Sequence, residues 1–108
     1  MAHNFDDKQQ IDSQGSLSCA TGPVDPPGEK MFWIAAFVYQ NQPAGHYAAA
    51  WGEKQFSAGG VKDRWTCPTT MAPGSEPFDT GTARAWALAR VTDGGGKFFA
   101  WGDEVTLE

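Results

Sequence analysis

The sequence predicts an all-β domain, namely a six- to seven-stranded antiparallel β-sandwich or small barrel. Its apolar residues fall in short runs of strand length, these runs are rich in aromatic and β-branched residues, and clusters of glycine and proline separate them. The 108 residues amount to one domain, and a hydrophobic fraction of 41% is sufficient for an ordinary core. We therefore expect a single β domain over residues 15–108, preceded by a polar, flexible lead over residues 1–14.

The first half of the domain contains one short strand and one long hairpin. SLSCAT (16–21) is the short strand, and the proline-rich loop GPVDPPGE (22–29) follows it. KMFWIAAFVYQ (30–40) is the strongest strand, because it is apolar on both faces, as a central strand covered on both sides would be. The turn NQPAG (41–45) and the segment HYAAAWGEKQF (46–56) then complete a hairpin.

The second half follows the same order. VKDRWTC (61–67) is the short strand, and a second long loop occupies residues 68–81. TARAWALARV (82–91) is rich in alanine, which favours a helix, yet on a helix Trp86 and Leu88 would lie about 200° apart and form no apolar stripe. We therefore interpret this segment as a strand, paired in a hairpin with KFFAWG (97–102).

Matched segments indicate an internal repeat. AWGE at 50–53 matches AWGD at 100–103, WIAAFV at 33–38 matches WALARV at 86–91, and LSCAT at 17–21 matches WTCPT at 65–69. The offsets of 50, 53 and 48 residues change only inside expected loops, where insertions are tolerated. The alternative is chance similarity in a chain enriched in tryptophan, alanine and glycine.

A duplication would build the domain from two three-stranded repeats of about 45 residues, residues 15–60 and residues 61–108. Each repeat has one apolar face that it cannot bury alone, so the two copies are expected to face each other about a pseudo-twofold axis. Trp51 and Trp101 should then share one environment, both buried or both exposed. The chain is expected to be a monomer or a domain-swapped homodimer.

Charge and composition narrow the classes of partner. The net charge is −5 and the basic residues are scattered, so nucleic acid is not an expected partner. The longest apolar run, MFWIAAFVY, has the length of a strand and is far short of the roughly 20 residues of a membrane span. The polar opening MAHNFDDKQQ does not resemble a signal peptide. A surface rich in Ser, Thr, Gly, Pro and Gln is typical of secreted proteins, and we expect an extracellular or cell-envelope location.

No cofactor, metal site or catalytic site is expected. A structural zinc site needs about four ligands, whereas the chain has only Cys19, Cys67 and, within the domain, His46. The two cysteines form either a disulfide or two buried thiols, and the sequence leaves both open. A small hydrolase, the third functional alternative, would have to draw a carboxylate pair from residues such as Glu53 and Asp103.

Tryptophan–acid pairs toward strand ends indicate a binding function. An indole can stack on the apolar face of a sugar while a neighbouring carboxylate accepts hydrogen bonds from its hydroxyls. We therefore expect a non-catalytic module that binds a carbohydrate or a partner protein. The expected ligand-binding residues are Trp51, Trp101, Glu53 and Asp103, with Tyr47 and Phe98 as neighbours.

Two other interpretations stay open for the tryptophans. Trp51 and Trp101 would be core or hairpin anchors if the chain is a structural or assembly module that pairs through exposed strand edges. Trp33 and Trp86, which open the most hydrophobic strand of each half, are expected in the core. None of these predictions depends on Leu107 or Glu108.

The order Cys19, Trp33, Cys67, together with DRWTC at 63–67, resembles part of an immunoglobulin domain. The resemblance covers only those positions. Trp65 stands where the corner tyrosine of that family is expected, and too much chain follows Cys67 for one last strand. The resemblance implies an immunoglobulin-like sandwich as the second choice of fold.

Overall fold

The computed structural model describes residues 5–24, 30–58, 63–91 and 98–108. Their regular secondary structure consists of β-strands and one 3₁₀ turn, Pro43–Gly45, which connects the third strand to the fourth. The strands are β1 (Lys8–Gln9), β2 (Cys19–Val24), β3 (Lys30–Asn41), β4 (Tyr47–Ala58), β5 (Asp63–Pro68), β6 (Thr70–Met71), β7 (Gly81–Val91) and β8 (Phe98–Leu107).

The strands form two layers of unequal size. A six-stranded sheet has the order β1-β8-β7-β3-β4-β6, and β2 and β5 form a separate two-stranded sheet. The large sheet is curled and mixed, because β1 runs parallel to β8 while its other pairs are antiparallel. The all-β class is thus confirmed, whereas the predicted antiparallel sandwich or barrel of two matched halves is not.

The expected strands and pairings of the large sheet are present. TARAWALARV lies in β7 as predicted. Its long pairings with β3 and β8 explain why this segment is a strand despite the helix propensity of its alanines. β3 and β4 pair over their whole length, from Lys30 opposite Ala58 to Asn41 opposite Tyr47. Most of the predicted loop GPVDPPGE and the TDGGG turn lie outside the described residues.

The hydrophobic core lies between the two layers. Alternate residues of the large sheet point into it, and in β4 and β7 many of these residues are small alanines. The second layer contributes Ala20 of β2 and both Trp65 and Cys67 of β5. The ring of Trp65 meets that of Phe5 edge to face, with 5.2 Å between centroids.

β3 differs from the expectation that both of its sides are covered. Its even-numbered residues from Phe32 to Val38 are buried, whereas on the other side Phe37 is exposed and Trp33 is half-buried. The two-stranded layer covers only one side of the sheet, so the aromatic residues on the opposite side face solvent. Trp33 and Trp86 were predicted as core residues, and both lie on this solvent side.

Residues 5–11, which were expected in a flexible lead, pack against the domain. Phe5 and Gln9 are buried, and the Gln9 side-chain amide donates to the carbonyls of Asp6 and Thr21 while its oxygen accepts from the Thr21 amide. Leu107 is likewise a core residue and pairs with Gln9 through β1.

The matched segments of the proposed repeat do not occupy matched positions. Phe37 lies opposite both Trp51 and Trp86, and Trp86 lies opposite Gly102, so Trp51 projects to the solvent side and Trp101 to the core side. Trp51 is exposed, whereas Trp101 packs against the core. The two tryptophans therefore do not share one environment, contrary to the expectation from a duplication.

The cysteine match fails for the same reason. Ala20 lies opposite Cys67, so Cys19 is one residue out of register. The side chains of Cys19 and Cys67 therefore point to opposite faces of the two-stranded sheet. Both cysteines are free thiols in the structure, so no disulfide joins them, but only one of the two is buried as the alternative of two buried thiols expected. Cys67 is fully buried, whereas Cys19 is partly accessible.

Candidate binding face

One side of the large sheet is not covered by the second layer, and we call it the outer face. Strands β4, β3, β7 and β8 place alternate residues there, in rows that the register defines. In order along each strand, these residues are Tyr47, Ala49, Trp51, Glu53 and Gln55 of β4; Trp33, Ala35, Phe37, Tyr39 and Asn41 of β3; Thr82, Arg84, Trp86, Leu88 and Arg90 of β7; and Phe98, Ala100, Gly102, Glu104 and Thr106 of β8.

Large apolar side chains are exposed across the outer face. Their exposed fractions are 55% for Trp51, 43% for Trp86, 37% for Phe37, 36% for Leu88 and 57% for Phe98. These are the five large hydrophobic residues that the described part of the chain leaves exposed, and all five lie on this one face. They therefore form a patch rather than isolated surface residues.

A row of rings crosses the middle of the outer face. Trp51, Phe37 and Trp86 lie side by side on β4, β3 and β7, and the centroids of Phe37 and Trp86 are 5.7 Å apart. The row reaches β8 at Gly102, which lies opposite Trp86. The α-carbon of Gly102 faces the indole ring of Trp86. The absence of a side chain at Gly102 gives the indole room to lie across the neighbouring strand.

Two open hollows lie on one side of this row. The first has a volume of about 490 Å³ and is formed by Phe37, Trp51, Trp86 and Leu88 around the small residue Ala35. The second, also of about 490 Å³, is lined by Trp33, Gln55, Leu88, Arg90 and Phe98. Leu88 belongs to both hollows, so they form one continuous depression.

A second aromatic group lies on the other side of the row. Tyr39 stacks on Tyr47 with 5.8 Å between ring centroids and on Phe37 with 6.4 Å. Each ring is held by its neighbour, so the aromatic surface extends without interruption from Tyr47 to Trp86.

Polar side chains lie around and between the rings. Glu53 accepts a hydrogen bond of 3.2 Å from the indole nitrogen of Trp33. The guanidinium of Arg90 lies over the ring of Phe98 at 5.7 Å, a cation–π contact. Arg84 and Glu104 lie opposite each other on β7 and β8 at the tyrosine end of the face.

The predicted ligand-binding residues are divided between the two sides of the sheet. Trp51, Glu53, Tyr47 and Phe98 are together on the outer face. Trp101 points inward, where its ring lies 6.2 Å from Phe5 and 6.3 Å from Trp65. Asp103 also points inward and accepts a hydrogen bond from the backbone amide of Phe5.

The sequence analysis does not include Phe37, Trp86 and Leu88, the apolar centre of the outer face, or the neighbouring Trp33 and Tyr39 in the predicted site. A signal was present, because in β7 Arg84, Trp86, Leu88 and Arg90 alternate with alanines. Two arginines on the tryptophan side of a strand indicate solvent, and alanines on the other side indicate a tightly packed interior. The prediction that Trp86 lies in the core is therefore wrong, and the alanines of β7 are its buried residues.

The structure brings together no catalytic arrangement proposed from the sequence. Glu53 and Asp103 lie on opposite sides of the sheet, on strands separated by β3 and β7. His46 faces Glu76 at the 3₁₀ turn, with 3.5 Å between Nδ1 and Oε1. Burial raises the pKa of the Cys67 thiol to about 11, so it is protonated and poorly nucleophilic at neutral pH. Within the described ranges, no three acidic, histidine or cysteine side chains cluster as a metal site.

No family model matches this chain, and the comparisons with curated proteins and with solved structures find no match. A search of the described residues for helices that could cross a membrane also finds none.

Proposed function

We propose that this chain is a non-catalytic binding module and that its outer face binds a partner protein. The observation that carries the proposal is the exposure of five large apolar side chains on one continuous side of the sheet. Together they leave on the order of 500 Å² of apolar surface open, which equals the largest patch of a typical monomer and is often functional.

The residue types on the face support a protein partner. Protein interfaces are enriched in Trp, Tyr, Phe and Arg, and truncation of Trp, Tyr and Arg gives the largest losses of binding free energy. The outer face combines Trp33, Trp51 and Trp86 with two tyrosines and two arginines. Its first hollow is lined by apolar groups alone, so it suits an aliphatic or aromatic side chain better than a polar ligand.

The proposal is tested by selecting phage-displayed random peptides against the dilute, immobilised chain. We expect selected peptides to be apolar or aromatic and to lose about 30-fold in affinity when Trp51→Ala or Trp86→Ala removes one ring of the central row. Thr66→Ala is the matched control, since Thr66 lies on the solvent side of the two-stranded sheet. Peptides that bind both tryptophan variants and the control equally well would refute the proposed face.

A carbohydrate ligand is the second candidate, and one observation favours it. Trp51 is exposed, and Glu53 and Gln55 follow it along the same side of β4, so a sugar stacked on the indole would have a carboxylate and an amide within reach. A glycan array tests this alternative. Binding that Trp51→Ala abolishes and that Trp101→Phe preserves would favour it over the protein partner.

The extracellular or cell-envelope location stays a prediction from composition. It agrees with a module that acts by binding, and fractionation of the source cells would test it.

A further inference from the structure

We propose that the partner of the outer face is a second copy of this chain, bound face to face about a twofold axis. This inference rests on the proposed function, because it names the protein that the face binds. It replaces the domain-swapped dimer, in which chains would exchange a repeat, with a dimer of intact chains.

The charge of the outer face favours a second copy. Its four charged side chains are Glu53, Glu104, Arg84 and Arg90, and their charges sum to zero in a chain of net charge −5. Two identical acidic molecules repel each other, and this repulsion is weakest where they meet through a neutral surface. Both signs are present on the face, so each copy also offers a partner for the charges of the other.

The shape of the outer face is suited to pairing with itself. A twofold interface brings one patch against an identical patch, so the patch must contain both projecting side chains and places that receive them. Phe98 and Trp51 are the most exposed of its apolar side chains. The two hollows on the same face supply places to receive such side chains.

The area of the outer face matches what a stable dimer needs. Five rows along four strands, with their side chains, cover roughly 20 by 30 Å. That is of the same order as the roughly 800 Å² that each partner buries in a standard interface.

The rival mode of self-association is pairing through strand edges. β6 pairs with the edge of β4 at Ala50 and Trp51, residues 72–76 bond to the same edge at Tyr47 and Ala49, and β1 pairs with the edge of β8 at Thr106 and Leu107. Edge pairing would extend the sheet and leave the outer face in solvent. The accessibility of Trp51 therefore distinguishes the two modes.

Sedimentation velocity of the wild-type chain, from low micromolar to about millimolar concentration, is the first measurement. We expect a monomer–dimer equilibrium that Trp51→Glu weakens at least about 30-fold, because it removes two exposed rings from the interface and buries two carboxylates there. Phe98→Glu should weaken it as well, which guards against misfolding of one variant. Thr66→Glu, with the same added charge on the two-stranded sheet, should dimerise as the wild type does.

Iodide quenching of tryptophan fluorescence is the second measurement. For the wild type, quenching should fall as dimer forms, and for Trp51→Glu it should not depend on concentration. A chain that stays monomeric at the highest concentration overturns the inference. So does a dimer that Trp51→Glu and Phe98→Glu leave intact, or one in which quenching does not fall, which would indicate edge pairing.

These outcomes separate the inference from the proposed function. A monomer that still selects apolar peptides through Trp51 and Trp86 has a protein-binding face without self-association. A monomer that selects no such peptides contradicts both.

Discussion

The two AWG segments contain glycines with different tasks. Gly52 points toward the core side of β4, and a β-carbon there would lie 1.8 Å from the carbonyl oxygen of Pro68 at the end of β5. Gly102 points toward the outer face, where a β-carbon would lie 3.0 Å from the Trp86 ring. Gly52 thus permits the close contact of the two layers, whereas Gly102 accommodates an exposed indole.

Replacing each glycine with alanine should therefore have unequal effects. Gly52→Ala forces backbone apart and should lower the free energy of unfolding by about 3 kcal/mol or more. Gly102→Ala should lower it by less than about 1 kcal/mol, because the neighbouring side chain is exposed and can move. Urea denaturation of both variants measures the difference, and equal losses would contradict the close approach of Pro68 to Gly52.

At the scale of elements, buried glutamines attach irregular segments to the sheets. Gln9 joins the N-terminal segment to Thr21 of β2, as described above. Gln40 of β3 does the same for the loop before β7, since its amide donates to the carbonyls of Asp79 and Thr82 while its oxygen accepts from the Asp79 amide. Each side chain provides hydrogen bonds that a strand would otherwise provide.

Gln9→Ala should weaken the attachment of the N-terminal segment to β2, while the pairing of β1 with β8 remains. It leaves backbone groups of Asp6 and Thr21 without these bonds in a partly buried place, which costs about 2–3 kcal/mol of unfolding free energy. Amide hydrogen exchange at Thr21 should also become faster. Gln10→Ala is the control, because Gln10 is exposed and its loss should cost less than about 0.5 kcal/mol. Unchanged exchange at Thr21 in Gln9→Ala would show that the segment is held in another way.

At the scale of the whole molecule, the core is one-sided. A two-stranded layer covers one side of a much larger sheet, and the molecule is elongated, with extents of 46 × 22 × 19 Å. Trp65 fills the space between the layers, whereas Trp51 lies on the uncovered side. The same residue type therefore contributes to folding on one side and is available for binding on the other.

Alanine at these two tryptophans should separate stability from association. Trp65→Ala should lower the free energy of unfolding by about 3–5 kcal/mol, as for a large core side chain. Trp51→Ala should lower it by less than about 1 kcal/mol when measured at dilute concentration, where association does not contribute. Thermal and urea denaturation provide both values. A large loss for Trp51→Ala in the monomer would mean that the outer face is part of the folding core.

Part of the candidate site could be predicted, because residues at alternate positions of a strand, such as Tyr47, Trp51 and Glu53, share one of its sides. Trp51, Glu53, Tyr47 and Phe98 were expected in the site, and the structure places them on one face. Trp101 and Asp103 were included through their similarity to Trp51 and Glu53. That similarity is one of local amino-acid sequence. The direction of a side chain depends instead on the pairing register of its strand, which the local sequence does not specify.

The all-β class, the long strands of the large sheet and the aromatic residues on them follow from the sequence, because alternation and turn residues act locally. Which side of each strand is covered depends on tertiary packing. β3 is apolar on both sides, so either side suits an interior, and β7 has large apolar residues beside the arginines of its outer side, so the position of the small β2–β5 layer makes the choice. That layer packs where alanine and Gly52 let it come close, and the larger rings are left on the outer face.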